Sequence, residues 1–142
     1  MTHTSSFTPT QIAQFPKLTA WLDALRSGKY NQTTRRLRRS TGFCCMGVAC
    51  DLENPNGWRL ITYDWEHDVY KFEDSSHKFE MTVSLPPSIS ASYAAELGTT
   101  KYRVNAIVGR AIAKNDKGST FFVIANYLQN AFHQINSEFP VR

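Results

Sequence analysis

Residues 43–50 read FCCMGVAC, three cysteines within seven positions. As a metal clip or a redox pair this stretch would staple a small domain together. As a wall of small apolar side chains it marks a domain that builds its own core. A structural zinc site takes four thiolate or imidazole ligands, commonly presented by CxxC knuckles. Cys44, Cys45 and Cys50 have neither that spacing nor a second cluster to complete it. At about 100° per residue, Cys45 and Cys50 stand roughly 140° apart on a helix and share no ligand face. His67 and His77 would be recruited only one at a time. A redox pair calls for CxxC, and a bridge between adjacent cysteines is strained. Free cysteine behaves as a small hydrophobe and is among the most buried residue types. The stretch is therefore predicted to be a buried helix over residues 43–52, with no metal and no cofactor.

Working outward, 142 residues suffice for one domain with a real core, and 42% hydrophobic and 13% aromatic content is that of a folded chain. A single domain over 1–142 is expected, with residues 1–7 as a flexible N-terminal tail. No apolar run approaches the roughly 20 residues of a membrane span. The opening MTHTSSFTPT has no basic segment followed by an apolar one, which predicts no secretory signal. An odd cysteine count then favours a reducing compartment, and a cytoplasmic location is expected.

Thr8-Pro9 is an N-cap followed by proline at the first helical position. Ile12, Phe15, Leu18, Trp21, Leu22 and Leu25 follow at helical spacing, with a kink or late start at Pro16 and an end at Gly28. Asn54-Pro55-Asn56-Gly57 is a turn. WRLITYDW, HDVYKFE and HKFEMTV, within residues 58–83, are rich in aromatic and β-branched residues and predict an antiparallel sheet, with a hairpin turn at Asp74-Ser75-Ser76. Ser88–Leu97 reads as a short helix closed by Gly98. Val104, Ile107, Val108, Ala111 and Ile112 mark a further helix, stopped by Asn115-Asp116-Lys117-Gly118 through local turn chemistry. A last helix, capped by Ser119 or Thr120, presents Phe121, Ile124, Ala125, Leu128, Phe132 and Ile135. The fold class is α+β: an N-terminal helix, a small sheet and a C-terminal helical hairpin.

The net charge of +4 is segregated: +6 over residues 1–50, −5 over 51–80 and +3 over 81–142. This predicts a positive surface for an anionic partner beside a negative one suited to a second copy, hence a homo-oligomer. Arg35, Arg36, Arg38 and Arg39 flank Leu37 and follow Lys29 and Tyr30. The run from Lys29 reads as a loop leading into a short extended segment around Arg35–Arg39, in which Arg35, Leu37 and Arg39 point one way and Arg36 and Arg38 the other. With Leu37 docked, Arg36 and Arg38 face outward, and a guanidinium fork suits phosphate. Tyr30 would stack a base, and Gln32 with Asn31 would read polar edges. A second basic set, Lys101, Arg103, Arg110, Lys114 and Lys117, would close the pocket. The competing reading is a solvated basic edge that blocks strand mispairing.

Asp64, Glu66 and Asp68 fall on one strand face with His67 opposite, a pattern read as a solvated surface. GxSxG, Walker, HExxH, helix-turn-helix, zinc-finger and RNP patterns are absent, which disfavours the common hydrolase classes and a duplex-DNA reader.

The segments LDALRSGKYNQ, the arginine-bearing LR run, FCCMGVACDL and the closing NDKGSTFFVIANYL resemble a signature of small proteins encoded by bacteriophages and prophages. Met46 stands where leucine is frequent and Ala49 where a larger aliphatic residue is, both compatible with a core. The resemblance implies, by analogy of class, a compact non-catalytic protein that sequesters a nucleotide signal of bacterial immunity. The expected ligand is a small phosphorylated nucleotide, such as a cyclic ADP-ribose isomer or a cyclic oligonucleotide, held by Lys29, Tyr30, Gln32, Arg35, Arg36, Arg38, Arg39, Arg103 and Arg110. Two alternatives stay open. One is a hydrolase of such a signal using His67 or His77 with a carboxylate. The other is an inhibitor of a host protein that docks through an aromatic patch in residues 58–72.

Overall fold

The computed structural model describes residues 5–63, 65–73, 80–81 and 83–141. Within them α1 (Pro9–Gln14) and α2 (Pro16–Arg26) are separate helices broken at Phe15. Thr8 caps α1 in a reciprocal capping box with Gln11. Pro16 starts α2 without a side-chain cap, and Glu96 supplies one from outside, accepting from the Lys17 and Leu18 amides at 2.9 and 3.1 Å. Of the residues 1–7 expected as a tail, 5–7 are described. Phe7 is buried in the core, and the Ser5 hydroxyl donates to Asp23.

The cysteine stretch forms α3 (Cys45–Glu53), buried on all sides from Cys45 to Cys50. Cys44 is its N-cap, with Sγ accepting from the Gly47 amide at 3.4 Å, and all three thiols are free. Burial pushes the Cys44 thiol up to about 11 and raises Cys45 as well. Trp21 of α2 donates its indole N–H to the Cys45 carbonyl at 2.9 Å and stacks on Tyr93 at 5.2 Å. Tyr93 belongs to α4 (Pro87–Leu97), which Gly98 closes in the left-handed conformation at φ 71°. The C-terminal hairpin is α5 (Lys101–Asp116) and α6 (Phe121–Ile135), each capped by a threonine hydroxyl, Thr100 and Thr120. α2 lies between α6, α3 and α4, and α5 packs on α3, α4 and α6.

Five short strands, β1 (Arg38–Arg39), β2 (Gly42–Phe43), β3 (Trp58–Ile61), β4 (Val69–Glu73) and β5 (Glu80–Met81), form one antiparallel sheet. Its order is β2-β1-β4-β3, and β5 also pairs with β4. The sheet expected over residues 58–83 therefore begins earlier, at Arg38. Residues 62–63 and 65–68 lie outside the strands rather than in the continued strand of the sequence reading, so the alternation assigned to Glu66, His67 and Asp68 does not apply. The turn at 74–76, Asp64 and His77 lie outside the described residues. Edge-on contacts run Tyr30–Phe43–Trp58–Phe72 at 5.1, 5.9 and 5.1 Å between ring centres and join the sheet to the core.

Sheet and helices meet at one close approach. Leu37 is fully buried, and its carbonyl accepts from the Cys44 amide at 3.0 Å. A Cβ placed on Gly47 would stand 1.8 Å from that carbonyl oxygen, so only glycine fits there. The arginine run is thus seated on the cysteine helix through Leu37.

Candidate functional site

The residues expected to converge on one pocket do not converge. Arg36 donates from Nε and Nη2 to Glu66 at 3.1 and 2.6 Å and lies over the Tyr63 ring. Arg39 donates to the other oxygen of Glu66 and pairs with Asp68 at 3.6 Å. The two guanidiniums hold the Glu66 carboxyl below the usual carboxylate range. Arg38 lies against three rings, Tyr70, Phe43 and Trp58, at 4.3, 4.9 and 5.5 Å. Its register opposite Tyr70 puts it there. The outward-facing pair Arg36 and Arg38 is therefore corrected: Arg36 is paired with Glu66 and Arg38 is enclosed by aromatics. The run is not extended throughout: residues 34–37 bend ahead of β1, with Arg35 at φ 69°, and Arg36 and Arg39 meet on one carboxylate instead of diverging.

Gln32 is used within the fold. Its side-chain amide donates to Asn115 Oδ1 at 3.0 Å and to the Ser119 carbonyl at 2.7 Å. Asn115, read from sequence as local turn chemistry, is a fully buried long-range hub. It also accepts from the Cys45 amide at 3.2 Å and donates to the Thr33 carbonyl at 2.8 Å. Tyr30 donates to Asp51 at 2.8 Å, and Trp58 donates to the other oxygen of Asp51 at 3.0 Å. Burial and that carboxylate raise the Tyr30 phenol. Lys29 and Tyr30 border a small hollow of about 320 Å³ with Asp23, Ser27 and Leu52, away from Arg36, Arg38 and Arg39.

Arg103 and Arg110 lie elsewhere, on the outer seam between α5 and α6. The buried residues of α5 are Val104, Val108, Ala111 and Asn115. Arg103, Arg110, Lys114 and Lys117 follow one another at spacings of seven, four and three, a stripe about 60° wide at 3.6 residues per turn. From α6, Tyr127, Asn130, Ala131 and Gln134 recur at the same period on the facing side. Between them runs a groove of about 610 Å³ floored by Ala106, Ile107, Ala131 and Ile135. A second hollow of about 440 Å³ adjoins it, sharing Arg110 and Tyr127 and adding Lys114, Lys117 and Ser119. Lys114 Nζ sits 5.0 Å over the Tyr127 ring.

This stripe is uncompensated. Residues 101–137 hold five Lys/Arg and one acid, Asp116, and Asp116 accepts from the Arg35 amide at 2.8 Å. Among the described residues Arg103 and Arg110 have no carboxylate partner. Helix stability explains only part of the stripe. Lys114 and Lys117 suit the negative end of the helix dipole, but Lys101 and Arg103 occupy the first turn, where a cation is disfavoured by about 0.3–1 kcal/mol. The contact to Asp116 brings the exposed Arg35 to the same end of the stripe as Lys117.

No group of three or more His, Cys, Asp or Glu side chains able to hold a metal occurs among the described residues. No described helix is long and apolar enough to cross a membrane. His67 is exposed between β3 and β4, while His133 places Nδ1 2.7 Å from the Phe139 carbonyl.

Fold and site together define an α+β domain with an open basic groove on its C-terminal helix pair. The chain belongs to the family described as a domain of unknown function (DUF8296), whose profile matches residues 17–137. The matched span holds the cysteine helix, the sheet and both groove helices. No curated protein and no solved structure matches the chain.

Proposed function

We propose that this protein binds a small phosphorylated nucleotide in the α5–α6 groove and holds it without turning it over. The observation that carries the reading is the pair of guanidiniums, Arg103 and Arg110, that have no carboxylate partner among the described residues and lie beside the Tyr127 ring and an apolar floor. Guanidinium forks take phosphate oxygens in parallel charge-assisted hydrogen bonds. The ring and the alanine–isoleucine floor give a base an apolar surface to lie on. The resemblance to small phage proteins supplies the setting, a counter-defence protein that removes a signalling nucleotide by stoichiometric capture.

Calorimetry with cyclic ADP-ribose isomers and cyclic oligonucleotides tests the reading. Binding by at least one of them, weakened tenfold or more in Arg103→Ala/Arg110→Ala and unchanged in Arg59→Ala, supports it. Failure of the whole panel to bind, or binding indifferent to the groove variant, refutes it. Ligand recovered intact after denaturing the complex distinguishes capture from hydrolysis.

A second reading, docking on a host protein, is favoured by one observation. Trp65 is 78% exposed and stacks on Tyr63 at 5.3 Å, near the exposed Leu60. Stoichiometric retention of one host protein from lysate, lost in Trp65→Ala, would favour that reading over nucleotide capture.

A further inference from the structure

Resting on the groove reading above, we infer that the ligand is of dinucleotide size, with phosphoryl groups set apart by a nucleoside rather than a mononucleotide or a contiguous pyrophosphate. Three features of the helix pair lead there. First, the cations are spread along the groove rather than gathered. At 1.5 Å per residue, Arg103 and Arg110 are about 10 Å apart along α5, and Lys117 lies about 10 Å beyond Arg110. The two phosphorus atoms of a pyrophosphate share one bridging oxygen, so such a group engages one station of this stripe and leaves the others idle.

Second, the groove has two compartments with a common wall. The hollows of about 610 and 440 Å³ meet at Arg110 and Tyr127. A single nucleotide fits within the first, and the second then has no occupant of its own. A ligand that continues past Tyr127 fills both. Third, the side chains alternate in kind along that path. Arg103 stands at one end, the Tyr127 ring at the middle beside Arg110 and Lys114, and Lys117 at the far end. A cation–ring–cation sequence matches a phosphate–base–phosphate repeat, with base–aromatic stacking as the sequence-tolerant part of the contact. Cyclic and linear dinucleotides share this chemistry, and the experiment separates them.

The test is isothermal calorimetry on the full chain at fixed salt, with AMP, ADP, linear pApA and cyclic di-AMP, and with the guanine counterpart of each. The expected result is at least tenfold tighter binding of a dinucleotide than of AMP or ADP. In Arg103→Ala/Lys117→Ala, whose altered side chains are exposed and leave the core intact, that advantage should fall to within about threefold of the mononucleotide. AMP should lose less than either dinucleotide, since Arg110, Lys114 and Tyr127 remain. Which dinucleotide gains more identifies the cyclic or the linear form. A mononucleotide that binds as tightly as either dinucleotide overturns this inference and leaves the groove reading standing. Preferential dinucleotide binding that survives the double substitution overturns it too, because the end cations would then not be what selects length. No binding by any of the eight probes overturns this inference, while the groove reading is decided by its own panel, which includes the cyclic ADP-ribose isomers.

Discussion

Replacing Gly47 by alanine tests the seating of the arginine run on the cysteine helix. The added methyl would stand 1.8 Å from the Leu37 carbonyl oxygen and 2.8 Å from its carbonyl carbon. Ordinary van der Waals contact needs 3.4 Å or more, so backbone has to move by well over an ångström. That movement breaks the 3.0 Å hydrogen bond from the Cys44 amide to the same oxygen. Overpacking a core costs about 1–3 kcal/mol, and a clash with backbone falls at or above the top of that range. Alanine recovers up to about 1 kcal/mol of helix propensity relative to glycine. The net destabilisation is then at least about 2 kcal/mol. At about 2.1 cal/mol/K per residue, 142 residues have an unfolding entropy near 0.3 kcal/mol/K, so Tm should fall by about 7 °C. Gly109→Ala is the matched control. Gly109 is exposed inside α5 with no atom within 4 Å of an added Cβ, and the same substitution there should raise Tm by about 2–3 °C. Thermal unfolding followed by circular dichroism measures both. Gly47→Ala unfolding within about 1 °C of the wild type would show that α3 and the Leu37 segment are not in contact as described.

Asn115→Ala strips partners from the Cys45 amide, the Thr33 carbonyl and Gln32 at a fully buried position. It should cost about 3 kcal/mol in urea denaturation, while Asn126→Ala, at the partly exposed end of the Arg26 contact, should cost about 1 kcal/mol or less. The three thiols should be inert to a disulfide reagent in the folded protein and react together once it is denatured, because all are buried and burial raises Cys44 and Cys45; fast labelling of one thiol in the native state would contradict this. Glu66 has its folded pKa depressed by Arg36 and Arg39, so its contribution to stability is present above the ordinary carboxylate value and is lost as pH falls through the lowered one. Wild type should therefore be more stable than Glu66→Gln at pH 7, with the gap narrowing below about pH 4, and a gap constant from pH 7 to pH 3 would refute the assignment.

Where sequence pattern and structure agree, the pattern was dense and local. Thr8 and Thr120 sit before helical runs and cap them, Gly98 ends α4, and the apolar period of residues 121–135 is the buried face of α6. The reading of FCCMGVAC as core rests on its spacing and on the apolar character of cysteine, and the burial of all three thiols agrees with it. The sheet was legible only in its hydrophobic part. β1 and β2 are two residues each and are charged or glycine-containing, so neither alternation nor β propensity marks them. They exist because Arg38 and Arg39 pair with Tyr70 and Val69, some thirty residues away, and local pattern carries no such information. The break between β3 and β4 was concealed for the converse reason: aromatic and acidic residues alternate there by composition, while Asp68 at φ 60° turns the chain out of strand geometry.

The same distinction separates the two basic segments. Four arginines within five residues are the strongest charge signal in the sequence, yet three are absorbed by the fold, two on Glu66 and one among rings. The neutralising carboxylate lies in the −5 segment, so the segregation of charge along the chain pointed partly to pairing within the molecule. The sparser set from Arg103 to Lys117 gives a weaker signal, interrupted by apolar residues at nearly every step. Those interruptions are the helical period, and projected on a helix they leave four cations in one stripe. The facing helix, residues 121–135, carries no aspartate or glutamate to answer them. Charge available to a ligand is charge that the fold leaves unanswered, and among the described residues Arg103 and Arg110 on α5 are cations without a carboxylate partner, which is what the groove reading rests on.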